Sequence, residues 1–389
     1  MTQAFPPSRE AALARLAAVR PGDYARSRNA IDGAVTRLSP YITHGLLTLP
    51  EVLASQPGLN PQHKFVFELG WREFFAHVWQ HRGEAIFESL HAGVLPDAAY
   101  ASELPLDIRQ ARTGVPVIDQ AVRTLYATGY LHNHARMWLA SYVVHLRKVH
   151  WRAGADWLYG HLLDGDLASN HLSWQWVAGT GSHKPYFFNA ENVAKYAPPE
   201  WHSPGSVIDT SYEALDGIAR GGTAVQVRRG GQGVEEPVLH GLAQQTFNAE
   251  VSGQDVWLVH PWALGEPQPG LLPVAVLIDE FHRTWPWSAS RWAFVSARMA
   301  AITPHRIAGS SQQLAAELQG ARSVQMLADA HIDAWLPGVI TRQPVQRLFA
   351  PVAMPCASFS RWWSLATKKN LNDLAGVQAL SDCPLFQAP

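Results

Sequence analysis

Apolar positions follow two different periods along the chain. In the first half they recur at three and four residues. Val115, Ile118, Val122 and Leu125 have this spacing, which predicts a packed amphipathic helix. After the Thr128-Gly129 break a second helix carries Asn133, Arg136 and Met137 at i, i+3 and i+4, on one face, while Trp138, Tyr142 and Leu146 are apolar. A third helix follows the Asp164-Gly165-Asp166 turn and repeats Asp166, Asn170 and Trp174 every four residues. Nearer the start, Ala12, Leu13, Leu16 and Ala17 describe a helix capped by Ser8 and stopped at Pro21-Gly22. Residues 24–45 read as polar and turn-rich up to a helix that follows Thr43. In KFVFELGWREFFAHVWQ the residues Phe65, Phe67, Glu68, Trp71, Arg72 and Phe75 crowd together at helical spacings.

The period changes past Trp201. Residues 205–237 include GIARGGTAVQVRRGGQGVEEP, a Gly-rich stretch that reads as a linker or long loop, and its Arg228-Arg229 pair is a candidate phosphate contact. Beyond it, Val256 to Val259 and Val274 to Ile278 are short β-branched runs bounded by Pro and Gly. Ser288 caps a helix bearing Trp292, Val295 and Met299. Further strands are expected at His305 to Ala308 and Ser323 to Met326, with helices at Ser311 to Leu318 and Phe359 to Thr367. Strand and helix in alternation predict a parallel sheet. The expected architecture is an all-helical domain over 1–204, a linker over 205–250, and a smaller C-terminal α/β domain over 251–389.

Length and charge change this picture little. The 389 residues suit two domains, and 31 Lys plus Arg against 32 Asp plus Glu leave a net charge of -1, so any nucleic-acid contact must come from a local patch. Cys356 and Cys383 are too few for a disulfide framework, and no metal-ligand spacing accompanies them. With no signal-peptide core and no long apolar run, a soluble cytoplasmic protein is expected, with neither membrane nor metal partner.

The chemistry concentrates in Thr113 to Trp201. Two carboxylates, two carboxamides and an arginine among many tryptophans are costly unless something satisfies them. One account makes Asp164 and Asp166 helix caps and Arg136 their partner; the other is a cavity that holds a polar planar ligand. The blocks LDGDLASNHLSWQW, TGYLHNHARM, VHWRAGA and TGVPVIDQAVRTL resemble, in order and spacing, the flavin-binding signature of the photolyase and cryptochrome family. FPPSREAALARL is similar to the passage that opens the family's flavin domain after an α/β domain, whereas here it stands first. VAVLIDEFHRTWPWSASRWAFV and RLFAPVAMPCASFSRWW look like a diverged form of that α/β domain, moved to the C-terminal side.

The resemblance implies FAD as cofactor. It places Tyr24, Thr36, Arg37, Leu38 and Ser39 around the FAD phosphates, although taken alone T-R-L-S reads as a surface turn. Arg72, Asn133, Arg136, Asp164, Asp166 and Asn170 would surround the ring and ribityl parts, with Arg136 and Asp164 paired and Asn170 beside flavin N5. Glu68 would hydrogen-bond a damaged pyrimidine pair and Trp71 would stack on it, while Asn133, Met137 and Trp176 would line the mouth. A splayed-out base pair needs such an aromatic wall and hydrogen-bonding acid. The residue-level alternative for this helix is an aromatic core stripe with a Glu68–Arg72 pair. Trp174 and Trp151 match the first two members of the family's electron-transfer chain. Tyr130 stands in place of a usual tryptophan, and Tyr100 is the candidate for the outermost link. VWLVHPWALGEPQPG lacks the arginine- and aspartate-rich stretch of the family's α/β domain, which counts against a second, antenna chromophore. The activity implied is light-driven repair of cyclobutane pyrimidine dimers in single-stranded or duplex DNA. The alternative is a cryptochrome-like blue-light photoreceptor that binds FAD and signals through a protein partner.

Overall fold

A computed structural model describes residues 5–60, 62–225, 232–242 and 250–367. The first helix, α1 (Arg9–Ala17), starts where expected: the Ser8 hydroxyl accepts from Ala11 N at 3.1 Å. Short helices α2 (Pro21–Ser27), α3 (Ser39–Thr43) and α4 (Leu49–Ala54) follow. Thr43 therefore ends a helix rather than preceding one, because Pro40 at its first turn fixes φ and the next start waits for the Thr48–Glu51 capping box. Likewise Pro21 both stops α1 and begins α2, since proline is tolerated in a first helical turn.

The long α5 (Lys64–Arg82) is followed by α6 (Leu106–Arg109), α7 (Pro116–Thr128) and α8 (Asn133–Ser141). Gly129, at φ 65°, closes α7 in the left-handed conformation that non-glycine residues resist. The end of α8 widens into a π-turn over Tyr142–Leu146. Next come α9 (Trp151–His161), α10 (Leu167–Ala178), α11 (Ala190–Tyr196) and α12 (Tyr212–Arg220). The stretch read as a linker thus contains a helix. Ser211 caps it, Leu215 and Ala219 form its buried stripe, and Lys148 Nζ donates to the carbonyls of Ile218 and Ala219, each at 2.7 Å. Arg228 and Arg229 lie outside the described residues, as does Cys383.

The remaining elements are β1 (Leu239–His240), β2 (Asp255–Val259), β3 (Leu272–Ile278), α13 (Asp279–Thr284), β4 (Trp287–Ser288), α14 (Ala289–Ile302), β5 (Arg306–Gly309), α15 (Ser311–Glu317), β6 (Ser323–Leu327), β7 (Thr341–Gln343) and α16 (Phe359–Thr367). Five strands form an all-parallel sheet in the order β5-β3-β2-β6-β7, as the alternation of strands and helices predicts. Central β2 and β3 are buried on both faces, which is why they read as continuous apolar runs. β1 and β4 make a short antiparallel ribbon.

Contacts divide the chain into two compact units: residues 1–21, 36–81 and 239–389, and residues 22–35 with 82–238. The first holds the sheet and most of α5. The second is helical, with a core built on Ile118, Val122, Leu125, Trp138, Leu139 and Leu158. Among the described residues no helix is long and apolar enough to cross a membrane.

Candidate functional site

In the helical unit, α8 and α10 present the polar side chains singled out above. Asp164 is almost fully buried, with 4% of its side chain exposed, and both its oxygens accept from Nη2 of Arg136, at 2.9 and 2.8 Å. Arg136 Nε donates to the Leu131 carbonyl at 2.7 Å, whereas its Nη1 has no hydrogen-bond partner among the described residues. Tyr130 lies under the guanidinium, 5.7 Å from ring centre to Cζ. Asp166 caps α10 by accepting from Ser169 N at 2.7 Å, and Asp164 is the ion-pair partner of Arg136, both as the capping account has them.

One turn along α10, the buried Asn170 donates from Nδ2 to the Ala155 carbonyl of α9 at 2.8 Å. Its amide oxygen accepts from no group among the described residues. The three residues expected at the mouth differ in exposure. Asn133 is exposed and touches the sulfur of Met137 at 3.6 Å; Trp176 is 41% exposed and leans on Tyr186 at 5.7 Å.

The two tryptophans are buried and fixed. Trp151 donates from Nε1 to the Ser89 hydroxyl at 2.9 Å. Trp174 lies against Gly154, one turn beyond Trp151 on α9, so closely that a Cβ at Gly154 would overlap its six-membered ring. Gly154 and Ser89 were absent from the sequence-based site. A glycine inside the WRAGADW helix was the available signal, because helix interiors disfavour it by about 1 kcal/mol without a packing reason. Tyr24 belongs to α2 of the same helical unit.

The other unit carries Thr36, Arg37, Leu38, Ser39, Glu68, Trp71 and Arg72. Thr36 Oγ1 accepts from Leu38 N at 3.3 Å, Leu38 is buried, and Ser39 opens α3. Between them Arg37 is held at φ 51°, in the left-handed region that residues with a Cβ rarely adopt. On α5, Glu68 pairs with Lys64 at 2.9 Å, and Arg72 donates to the Thr43 hydroxyl at 3.2 Å. Trp71 is stacked by Phe359 of α16, with centroids 4.0 Å apart and planes at 14°. Phe67 and Phe74 pack on Phe359 too, and Gly70 leaves room for Trp363, whose ring would lie 2.7 Å from an added Cβ. The approach to α16 is tied to α5 by Glu73, which accepts from the amides of Leu348 and Phe349, and by His77, which accepts from Cys356 N at 3.2 Å. Burial pushes the Glu73 carboxyl up to about 7, the two amide bonds opposing it. No group of three or more metal-ligating side chains occurs among the described residues.

Residues 65–201 match the family model described as the FAD binding domain of DNA photolyase. A deoxyribodipyrimidine photo-lyase of Streptomyces griseus is 36% identical over 163 residues, covering 41% of this chain and 36% of the relative. A cryptochrome DASH of Idiomarina loihiensis is 31% identical over 212 residues, covering 51% and 47%. An archaeal photolyase from Sulfolobus tokodaii solved with two FAD molecules is 28% identical, covers 54% of this chain and 50% of its own, and has a TM-score of 0.43. The chain thus spans half or less of the length of these proteins. FAD is the cofactor of the matched domain, and the groups left over in the helical unit suit it. The edge of a flavin offers both carbonyl acceptors and N–H donors, and Arg136 Nη1 and the Asn170 amide oxygen are an unspent donor and an unspent acceptor on neighbouring helices. Residues 65–201 thus match the FAD-binding domain of the photolyase and cryptochrome family.

Proposed function

We propose that the protein is a light-dependent FAD enzyme that repairs pyrimidine dimers in DNA. The observation that carries the reading is the buried polar pair of helices α8 and α10: Asp164 spends both oxygens on one nitrogen of Arg136, which leaves Nη1 and the Asn170 amide oxygen for a ligand. In this reading Arg136, Asp164, Asp166, Asn133, Asn170 and Arg72 hold the ring and ribityl parts, and Tyr24, Thr36, Arg37, Leu38 and Ser39 the diphosphate. Bound FAD supplies the light absorption and the transferable electron. The protein supplies position. Asn170 is locked by its bond to Ala155, so its oxygen points in one direction without an entropy cost on binding. Exposed Asn133, half-buried Met137 and exposed Trp176 offer a hydrogen-bonding and stacking surface of the kind an unstacked base uses. Glu68 is the acid assigned to hold the damaged pair. Two relatives named photo-lyase support the repair reading.

A second reading, a cryptochrome-like photoreceptor, is favoured by one observation: the face of Trp71, assigned to the lesion, is already covered by Phe359. Illuminating the purified, reduced protein with dimer-containing single-stranded and duplex DNA separates the two. Loss of dimers supports repair; flavin-loaded protein that leaves the dimers intact in both substrates refutes it. A preparation that releases no flavin on denaturation refutes both.

A further inference from the structure

Outside the residues assigned so far, the helical unit gathers three exposed basic side chains. His91, His183 and Lys184 all face solvent, and none of the three side chains makes a hydrogen bond or ion pair among the described residues. The imidazoles of His91 and His183 lie against each other, with centroids 4.4 Å apart and planes inclined at 31°. The backbone on both sides sets this pair. Buried Gln175 of α10 accepts from Leu90 N at 2.9 Å and donates to the Ile86 carbonyl at 2.8 Å, which fixes the chain just ahead of His91. The loop that carries His183 folds back on the same helix: Gly181 N donates to the Gln175 carbonyl at 2.9 Å and Tyr186 N to the Val177 carbonyl at 3.0 Å. Gly181 passes so close that an added Cβ would sit 3.1 Å from the Trp176 nitrogen. His183 and Lys184 follow two and three residues later, so both stay within roughly 11 Å of chain from that contact. The Trp176 ring itself is 41% exposed.

Charge decides what this surface accepts. From Leu167 to Ala190 the sequence has no carboxylate, and Lys184 is its one Lys or Arg. On the segment that carries His91 the nearest acids are Glu88 and Asp97, and Asp97 faces His150 at 3.6 Å. In a chain whose net charge is -1, three basic side chains beside an exposed indole form a local patch. Phosphates answer the first feature of that patch and an unstacked base the second, which is the chemistry of a nucleic-acid strand.

We propose that His91, His183 and Lys184 clamp a backbone phosphate of the DNA strand whose base lies at Trp176, and that the two histidines take up protons as they do so. The proposal rests on the repair reading above, in which Trp176 lines the mouth for the damaged strand. Lys184 supplies a point charge. Histidine is the side chain that gains its charge between pH 8 and pH 6, and each neutral imidazole takes its proton from water. A phosphate between the rings accepts one N–H from each and offsets the repulsion of two cations at this separation, so binding the strand and charging the histidines favour one another.

The test is binding of a fluorescent single-stranded oligonucleotide, with and without one pyrimidine dimer, to the flavin-loaded protein in the dark. Anisotropy is read at pH 6 and pH 8 over a salt series, with flavin content and melting temperature measured for every variant. Wild type should bind on the order of tenfold more tightly at pH 6, the worth of one charge-assisted hydrogen bond. His91→Ala with His183→Ala should remove that gain and bind like wild type at pH 8. Lys184→Ala should weaken binding at both pH values and lower the slope of log affinity against log salt by about 0.7 on a single strand. All three side chains are exposed, so flavin content and melting temperature should stay those of wild type. Equal affinity of wild type at the two pH values, or a double-histidine variant that keeps the pH dependence, overturns the clamp; if that protein still removes dimers under light, the repair reading stands. A pH dependence that vanishes in the double variant of a protein unable to remove dimers supports the clamp and sinks repair alone. Protein that binds neither oligonucleotide overturns both.

Discussion

The ion pair between Arg136 and Asp164 can be made to report whether it serves the fold or the flavin. Asp164→Asn keeps the shape but removes the charge facing a guanidinium whose side chain is 24% exposed. Breaking a fully buried pair costs about 3–5 kcal/mol, and access of water to Arg136 reduces that to about 2 kcal/mol. For a domain of this size the expected drop in melting temperature is about 4–8 °C. Arg136→Met with Asp164→Leu removes both charges and replaces them with apolar groups of similar volume, which is often neutral or stabilising. Thermal unfolding should therefore fall for the single variant and recover in the double. Flavin per protein, read by absorbance, should fall in the first and stay low in the second, because the unspent Nη1 donor is gone. A double variant that binds flavin like wild type would refute the assignment and return these residues to a structural role.

Two further outcomes follow from packing and burial. Gly154→Ala gains about 1 kcal/mol of helix propensity but drives a methyl into the Trp174 ring, at an overpacking cost of about 1–3 kcal/mol. The variant should be less stable, with red-shifted tryptophan emission; a more stable protein with unchanged emission would show that Trp174 is not seated there. Glu73 has its carboxyl raised by burial from 4.5 to about 7, so the folded form holds the proton more tightly than the unfolded one. Its contribution is complete below about pH 4.5 and is lost as the pH rises through about 7, on the order of 3 kcal/mol in all. Protection factors of the Leu348 and Phe349 amides should fall over that window in wild type and change little in Glu73→Gln; equal pH dependence in both proteins would refute this.

How much of this was legible before folding depended on whether the signal was local. Val115, Ile118, Val122 and Leu125 announced α7, and the runs at Val256 and Val274 announced β2 and β3, because burial of one face or both imposes a period on neighbouring residues. The helix α12 was hidden by the glycines after it, although Ser211, Leu215 and Ala219 carried its pattern. The β1–β4 ribbon and β7 were not legible, since strands of two or three residues have no period and their partners lie far along the chain.

The same division runs through the site. From sequence alone come the helices, their polar faces, and the flavin signature with its resemblance to the photolyase and cryptochrome family. The Asp166 cap and the Glu68–Lys64 pair are local to their helices; only the tertiary structure decided the geometry of the long-range partners, Asp164 with Arg136 and the face of Trp71 with Phe359. Spacing places side chains on a face, but a hydrogen bond or a ring stack needs a partner at a few ångströms, and for Asp164 and Trp71 that partner comes from another element brought close by packing.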